Sequence, residues 1–186
     1  AFGQVALPAG TMREGEVEDP AALTSAIERL RDEVGIKKGS VRIGVSSPRV
    51  VVRRIEMPTM TRDEVSGALD FQAADFIPFP LDEAVLDFAI LGPAESGPGG
   101  DAASTMYVLV AAVPEAVVAP IVGAVEAGGL HVSSVDLLPL ALARAVRPRV
   151  PALVGADDGD DVAIGGAEAV VSFGGGVTSV VVHRAG

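Results

Sequence analysis

The sequence predicts an α+β fold, a sheet with helices packed on one side. Three observations carry this. From Val50 to Val135 the apolar patterning reads strand, helix, strand, strand, helix, strand. Helix starts are marked chemically, by Asp19-Pro20 and by Thr61-Arg-Asp-Glu64. Hydrophobic residues make up 49% of the chain but aromatics only 4%, so the core must be built from Val, Ala, Leu and Ile.

Each element follows in order. Phe2 to Leu7 is a short apolar run closed by Pro8 and Gly10, which reads as a strand and turn. Asp19 as N-cap and Pro20 at the first helical position open a helix. Leu23, Ile27, Leu30 and Val34 form its buried stripe, and Gly35 suits its C-terminal end. Val41 to Val45 and Val50 to Ile55 read as strands separated by Ser46-Ser47-Pro48.

The Thr61 capping box opens a second helix, with Val65, Leu69 and Phe76 on one face. Ile77-Pro78-Phe79-Pro80 stops it, because proline disfavours the helical region for its predecessor. Val85 to Leu91 is a strand, and Gly92 to Ser104 a loop rich in Gly, Pro, Ala and Ser. Thr105 to Val113 reads as a buried strand and Pro114 to Ala127 as a helix bent at Pro120 and ended by Gly128-Gly129. Leu130 to Val135 is a strand and Leu137 to Val146 a short helix. Pro148 to Ala167 reads as a linker whose acidic patch, Asp157 to Asp161, lacks the spacing of an EF-hand loop.

The chain of 186 residues carries a formal net charge of −11, which disfavours nucleic acid as a partner and suits basic peptides or Mg²⁺-bearing ligands. The absence of cysteine excludes disulfides and thiolate zinc sites. No signal peptide pattern is visible. Met106 to Val125 is long and apolar enough to suggest a membrane span, but Pro114, Glu115 and Pro120 interrupt it; a strand followed by a helix is the expectation.

Glu168 to Arg184 runs from an apolar strand through Gly174-Gly175-Gly176-Val177-Thr178-Ser179 into a second apolar strand. Glycine permits a tight turn and close approach to a polyanion, and amides and hydroxyls in such a turn can cradle phosphate oxygens. A plain glycine hairpin accounts for the same residues.

Several segments taken together resemble one family. Arg53 to Glu64 is similar to the "strand, Met-Pro, helix-start" segment of the type IV pilus assembly protein PilM family. Ile77 to Glu83 with Asp87 resembles its Ile-Pro-Phe segment. Leu109 to Glu115, Val125 to Leu130, Val135 to Leu137 and Ala141 to Arg144 follow in the family's order, and Leu7 to Gly10 with Gly15 to Asp19 resembles its early segment. The family is actin-like and related to the cell-division protein FtsA.

The resemblance implies an actin-like (ribonuclease H-like) lobe carrying an inserted β-α-β-β-α-β (SHS2-like) subdomain. Residues 1–46 and 137–149 would belong to the first lobe, 47–136 to the insert, 150–167 to a linker, and 168–186 to the start of a second lobe. It places the family's second phosphate-binding loop, for ATP with Mg, on Gly174 to Thr178, with Ser179 beside it. Ser172-Phe173-Gly174 stand where the family usually has Asp-Ile-Gly, a poorer anchor for Mg²⁺. The family's first phosphate strand and adenosine segments are not found between Ala1 and Gly186. That leaves a fragment or a member lacking part of the site as alternatives, and no nucleotide is expected to be enclosed by this stretch.

Elsewhere the residues read as structural. His131 and His183 lack acidic or cysteine partners at ligand spacing. Asp70, Asp75, Asp82 and Asp87 surround a helix end and a strand edge rather than pairing for catalysis. Ser46-Ser47 lacks a nucleophile-elbow pattern, and Gly35 to Ser40 is similar to a Walker loop only with its lysine and glycines misplaced. Arg49, Arg53 and Arg54 read as a solvated face or a guard against edge pairing.

The leading expectation is a non-catalytic scaffold, cytoplasmic and peripheral to the inner membrane. By the resemblance it captures the cytoplasmic tail of PilN and relays signals to pilus motor ATPases. The alternatives are an ATP-binding switch or ATPase of the actin and sugar-kinase superfamily, and an FtsA-like filament former.

Overall fold

The computed structural model describes residues 2–36, 38–94, 105–146, 167–174 and 177–184. They fall into two compact units, residues 1–47 with 123–186, and residues 48–122. The second unit is continuous in sequence and interrupts the first.

In the first unit, residues 2–7 form no strand, and Phe2 is 90% exposed. The segment lies instead on a helix. A Cβ at Gly3 would meet the side chains of Leu30 and Val34, and Arg29 Nη2 donates to the Ala6 carbonyl (3.3 Å). The apolar run was visible in sequence; that it faces a helix stripe rather than a strand partner was not. A small antiparallel hairpin follows, β1 (Met12–Arg13) with β2 (Glu16–Val17).

α1 (Pro20–Val34) begins as its sequence dictates. Asp19 is extended and its side chain accepts from the Ala22 N–H (3.0 Å), and Gly35 closes the helix in the left-handed region at φ +77°. β3 (Ser40–Val45) ends at the buried Val45.

The second unit opens with β4 (Val51–Pro58) and α2 (Arg62–Ala73). The capping box forms: the Glu64 N–H donates to Thr61 Oγ1 (3.4 Å), and the Thr61 N–H donates back to Glu64 Oε2 (2.7 Å). The Thr61 amide, and to a smaller extent the Thr61 hydroxyl donating to Glu64 Oε2 (2.8 Å), hold the Glu64 carboxyl below its ordinary pKa of 4.5. α2 ends at Ala73, three residues short of Phe76, which nevertheless packs on the same core from the turn that follows.

β5 (Ala84–Pro93) and β6 (Thr105–Pro114) complete an antiparallel sheet in the order β4-β6-β5. The expected loop at 92–104 falls largely on 95–104, outside the described residues. Alternation along the central strand fixes the inner face: Met106, Val108 and Val110 are buried against Met57 of β4 and Val65 and Leu69 of α2. Among the described residues β4 and β5 are both edges. Arg53 and Arg54 on β4 fit the edge-guard reading, and the Arg54 guanidinium lies 4.3 Å from the Tyr107 ring centroid.

α3 (Glu115–Ala127) starts in the second unit and ends in the first, with Pro120 inside it. Met106 to Val125 is therefore strand then helix, as expected. Among the described residues no helix is long and apolar enough to cross a membrane. β7 (His131–Leu137) then pairs in parallel with β3, Val41 opposite Val132 and Ile43 opposite Val135. The six-element order expected from sequence is present, but its last strand sits in a different sheet from the other three. Element order alone does not say which sheet a strand joins; parallel neighbours need only a long enough crossover.

α4 (Leu138–Val146) follows β7 directly, and Asp136 joins them, its carboxylate accepting from the Leu137 N–H (2.8 Å) and pairing with Arg144. β8 (Ala167–Phe173) and β9 (Thr178–Arg184) form an antiparallel hairpin that lies against α4. The linker and acidic patch expected at 148–167 lie almost wholly outside the described residues.

Two outcomes follow from the α2 packing. Leu69→Ala removes a buried anchor and should lower unfolding stability by roughly 2–5 kcal/mol, read by urea denaturation. Because the Glu64 carboxyl is held low in the fold, its stabilisation is fully present above the unfolded pKa and is lost as pH falls through the folded one. Melting of the wild type and Glu64→Gln, compared across pH, should therefore differ at neutral pH and converge in acid; a gap that widens in acid contradicts the assignment.

Candidate functional site

Gly174 follows β8, and Val177 precedes β9. Phe173 is the register partner of Thr178, and the Gly174 N–H donates to the Val177 carbonyl (3.0 Å). A Cβ on Gly174 would stand 2.6 Å from that carbonyl oxygen, so this position requires glycine. Gly175 and Gly176 lie outside the described residues. Thr178 is exposed and Ser179 half-buried.

What sequence reasoning missed is where this hairpin is anchored. Ser179 Oγ lies 3.1 Å from Ser46 Oγ, just past the C-terminal end of β3. The neighbouring Ser47 hydroxyl donates to Glu16 Oε1 on β2 (2.9 Å). Between β1 and β2, Gly15 adopts φ +83°, and a Cβ there would sit 1.6 Å from the Ser46 carbonyl oxygen. Three segments far apart in sequence thus meet at Ser46-Ser47. The signal available in advance was the serine pair after an apolar strand, since ligands in open sheets with parallel strands sit beyond the carboxyl ends of strands. Thr11 adds a buried hydroxyl without a hydrogen-bond partner.

The chemistry on offer is hydroxyl, amide and one carboxylate, Glu16. The Gly174 N–H and the Ser179 hydroxyl already have protein partners, which leaves the Thr178 hydroxyl as an open side-chain donor among the described residues. The phosphate reading of Gly174 to Ser179 therefore rests on the amides of Gly175 and Gly176. No group of three or more potential metal-ligating side chains occurs among the described residues.

The other singled-out residues are placed as follows. His131 is exposed, its Nδ1 3.9 Å from Glu126 Oε1, so an acidic neighbour that spacing did not suggest is present at the surface. The side chain of His183 lies outside the description. Asp87 stands 3.9 Å from Arg62, and both are well exposed.

The family model described as "Type IV pilus assembly protein PilM" matches residues 1–185. The chain belongs to the PilM family. A solved structure titled "PilM-PilN type IV pilus biogenesis complex" is similar at 30% identity and a TM-score of 0.69, over 95% of this chain and 48% of that one. The chain thus spans about half the length of that PilM relative. The cytoplasmic domain of EpsL, an inner-membrane component of the Vibrio cholerae type II secretion system, matches at 16% identity and a TM-score of 0.42, over 63% of this chain and 44% of that one. That second likeness is too low to carry an argument. The PilM match agrees with the mixed α/β architecture and fits an actin-like fold.

Gly15→Ala tests the convergence at Ser46. It forces a side chain into a left-handed position and against a carbonyl, so it should destabilise by more than about 1 kcal/mol, read by thermal melting. Gly123→Ala, a helical site with open space around its Cβ, is the control and should be neutral or stabilising.

Proposed function

We propose that this chain is part of a PilM-type scaffold that captures the cytoplasmic tail of PilN on the cytoplasmic face of the inner membrane. The observation that carries the reading is the family match over residues 1–185, joined to the likeness with PilM in a PilM-PilN complex. In this reading the unit of residues 1–47 and 123–186 is actin-like, and residues 48–122 are an SHS2-like insertion, β4-α2-β5-β6. The net charge of −11 favours a tail carrying basic residues through electrostatic complementarity. The scaffold works by binding, and relay to the pilus motor ATPases is the role the family resemblance implies for it.

Titration calorimetry with a synthetic PilN tail peptide should show saturable heat, with Kd in the range of roughly 1–100 μM. An absence of heat at the upper end of that range overturns the reading.

ATP with Mg at Gly174 to Ser179 is a second reading. It is favoured by the glycine turn held beside the carboxyl end of β3 through Ser46 and Ser179. The substitution Ser172 for the family's usual acid weakens it. In the same melting assay MgATP should raise the transition of the wild type and leave Thr178→Ala and Gly175→Val unmoved; equal shifts in all three would assign the effect elsewhere.

A further inference from the structure

The inserted unit has a groove that neither reading above uses. β5 is an edge of the three-stranded sheet, and α2 packs on that sheet's inner face. Asp63, Ser66 and Asp70 of α2 and Leu86, Asp87 and Phe88 of β5 line a cavity of about 380 Å³ between them. Leu86 and Phe88 pack on the α2 core, so the groove has an apolar floor and carboxylate walls.

Among the described residues no strand pairs with the outer side of this edge. The Phe88 N–H donates to Asp87 Oδ1 (2.8 Å) rather than to β6. In an antiparallel pair, residues alternate between facing the partner strand and facing away from it. Leu86 and Phe88 therefore present N–H and C=O outward, and Ile90 shares their parity up to the bulge before Gly92. Unlike β4, with Arg53 and Arg54, β5 carries no lysine or arginine, and its proline comes only at Pro93. Ile90 and Leu91 are 40% and 54% exposed. Asp87 is the edge's one charged side chain, and it occupies the amide that an added strand would need.

We propose that this edge binds an extended peptide segment bearing basic side chains at alternate positions, added to β5 as a fourth strand. An incoming carbonyl takes the Phe88 N–H, and the released Asp87 carboxylate pairs with the peptide. Side chains spaced two apart on the α2 side reach Asp63 and Asp70.

Charge decides the occupant. Three carboxylates line the groove against one cation, Arg62, whose guanidinium already lies 4.5 Å from the Phe88 ring centroid and 3.9 Å from Asp87. A second copy of this chain would bring the same carboxylates to face their equivalents across the new pair, which is unfavourable. The inference does not depend on PilN being the partner.

The test uses the whole chain, a labelled peptide of alternating lysine and valine, and its glutamate-valine counterpart. The lysine peptide should bind, and should slow hydrogen exchange at the Leu86, Phe88 and Ile90 amides by about tenfold or more; the glutamate peptide should do neither. Asp63→Asn with Asp70→Asn should weaken binding by about fivefold or more while the protein melts as before. Protection that falls elsewhere, equal binding of the two peptides, or unchanged affinity in the folded double variant overturns the proposal. Protection of β5 that appears simply on concentrating the protein also overturns it, by giving the edge to a second copy.

Discussion

β3 and β7 are neighbours in space although a whole compact unit separates them in sequence. Their parallel pairing closes the interrupted unit, and the residues of the candidate glycine site are anchored at its ends. At the carboxyl end of β3, Ser46 and Ser47 gather the β1-β2 turn and the foot of the glycine hairpin. At the carboxyl end of β7, Asp136 fixes the start of α4 by bonding the Leu137 amide and pairing with Arg144. Loop-closure entropy grows only slowly with length, so a unit of this size between paired strands adds little to the cost of bringing them together.

That arrangement lets one chain hold two kinds of surface. The interrupted unit offers a cluster of hydroxyls and backbone beside a glycine turn. The inserted unit offers a sheet whose inner face is sealed by α2 and whose two edges differ in character. β4 carries two arginines at its edge, one of them over Tyr107. β5 carries a single carboxylate hydrogen-bonded to its own strand. Both surfaces have chemistry suited to gripping a partner. This agrees with membership of a family named for pilus assembly.

Local chemistry made much of the fold legible. Asp19-Pro20, the Thr61 to Glu64 box and Gly35 set helix ends through contacts within a few residues, so sequence alone reveals them. The unbroken apolar run of β6 announced a buried strand for the same reason. Failures came where the deciding contact was distant. Phe2 to Leu7 has the composition of a strand, but Gly3 within it lies against Leu30 and Val34 of α1. β7 was expected to close the sheet of its sequence neighbours, and its register lies with β3 instead. At the candidate site the glycines were visible, while the link from Ser179 to Ser46 spans most of the chain and left no periodic trace.

The account stands or falls on the β3-β7 pairing, and the chain's lack of cysteine makes it directly testable. Two cysteines can be placed at the register partners Val41 and Val132, and in a second variant at Val41 and Leu137, which is the register partner of Val45 instead. Cross-strand neighbours fall within disulfide reach, with Cα atoms about 4.4–6.8 Å apart. Under mild oxidation the first pair should form an intramolecular disulfide without loss of fold, and the second should remain reduced. Ready cross-linking of Val41→Cys to Leu137→Cys, with none to Val132→Cys, would contradict the architecture.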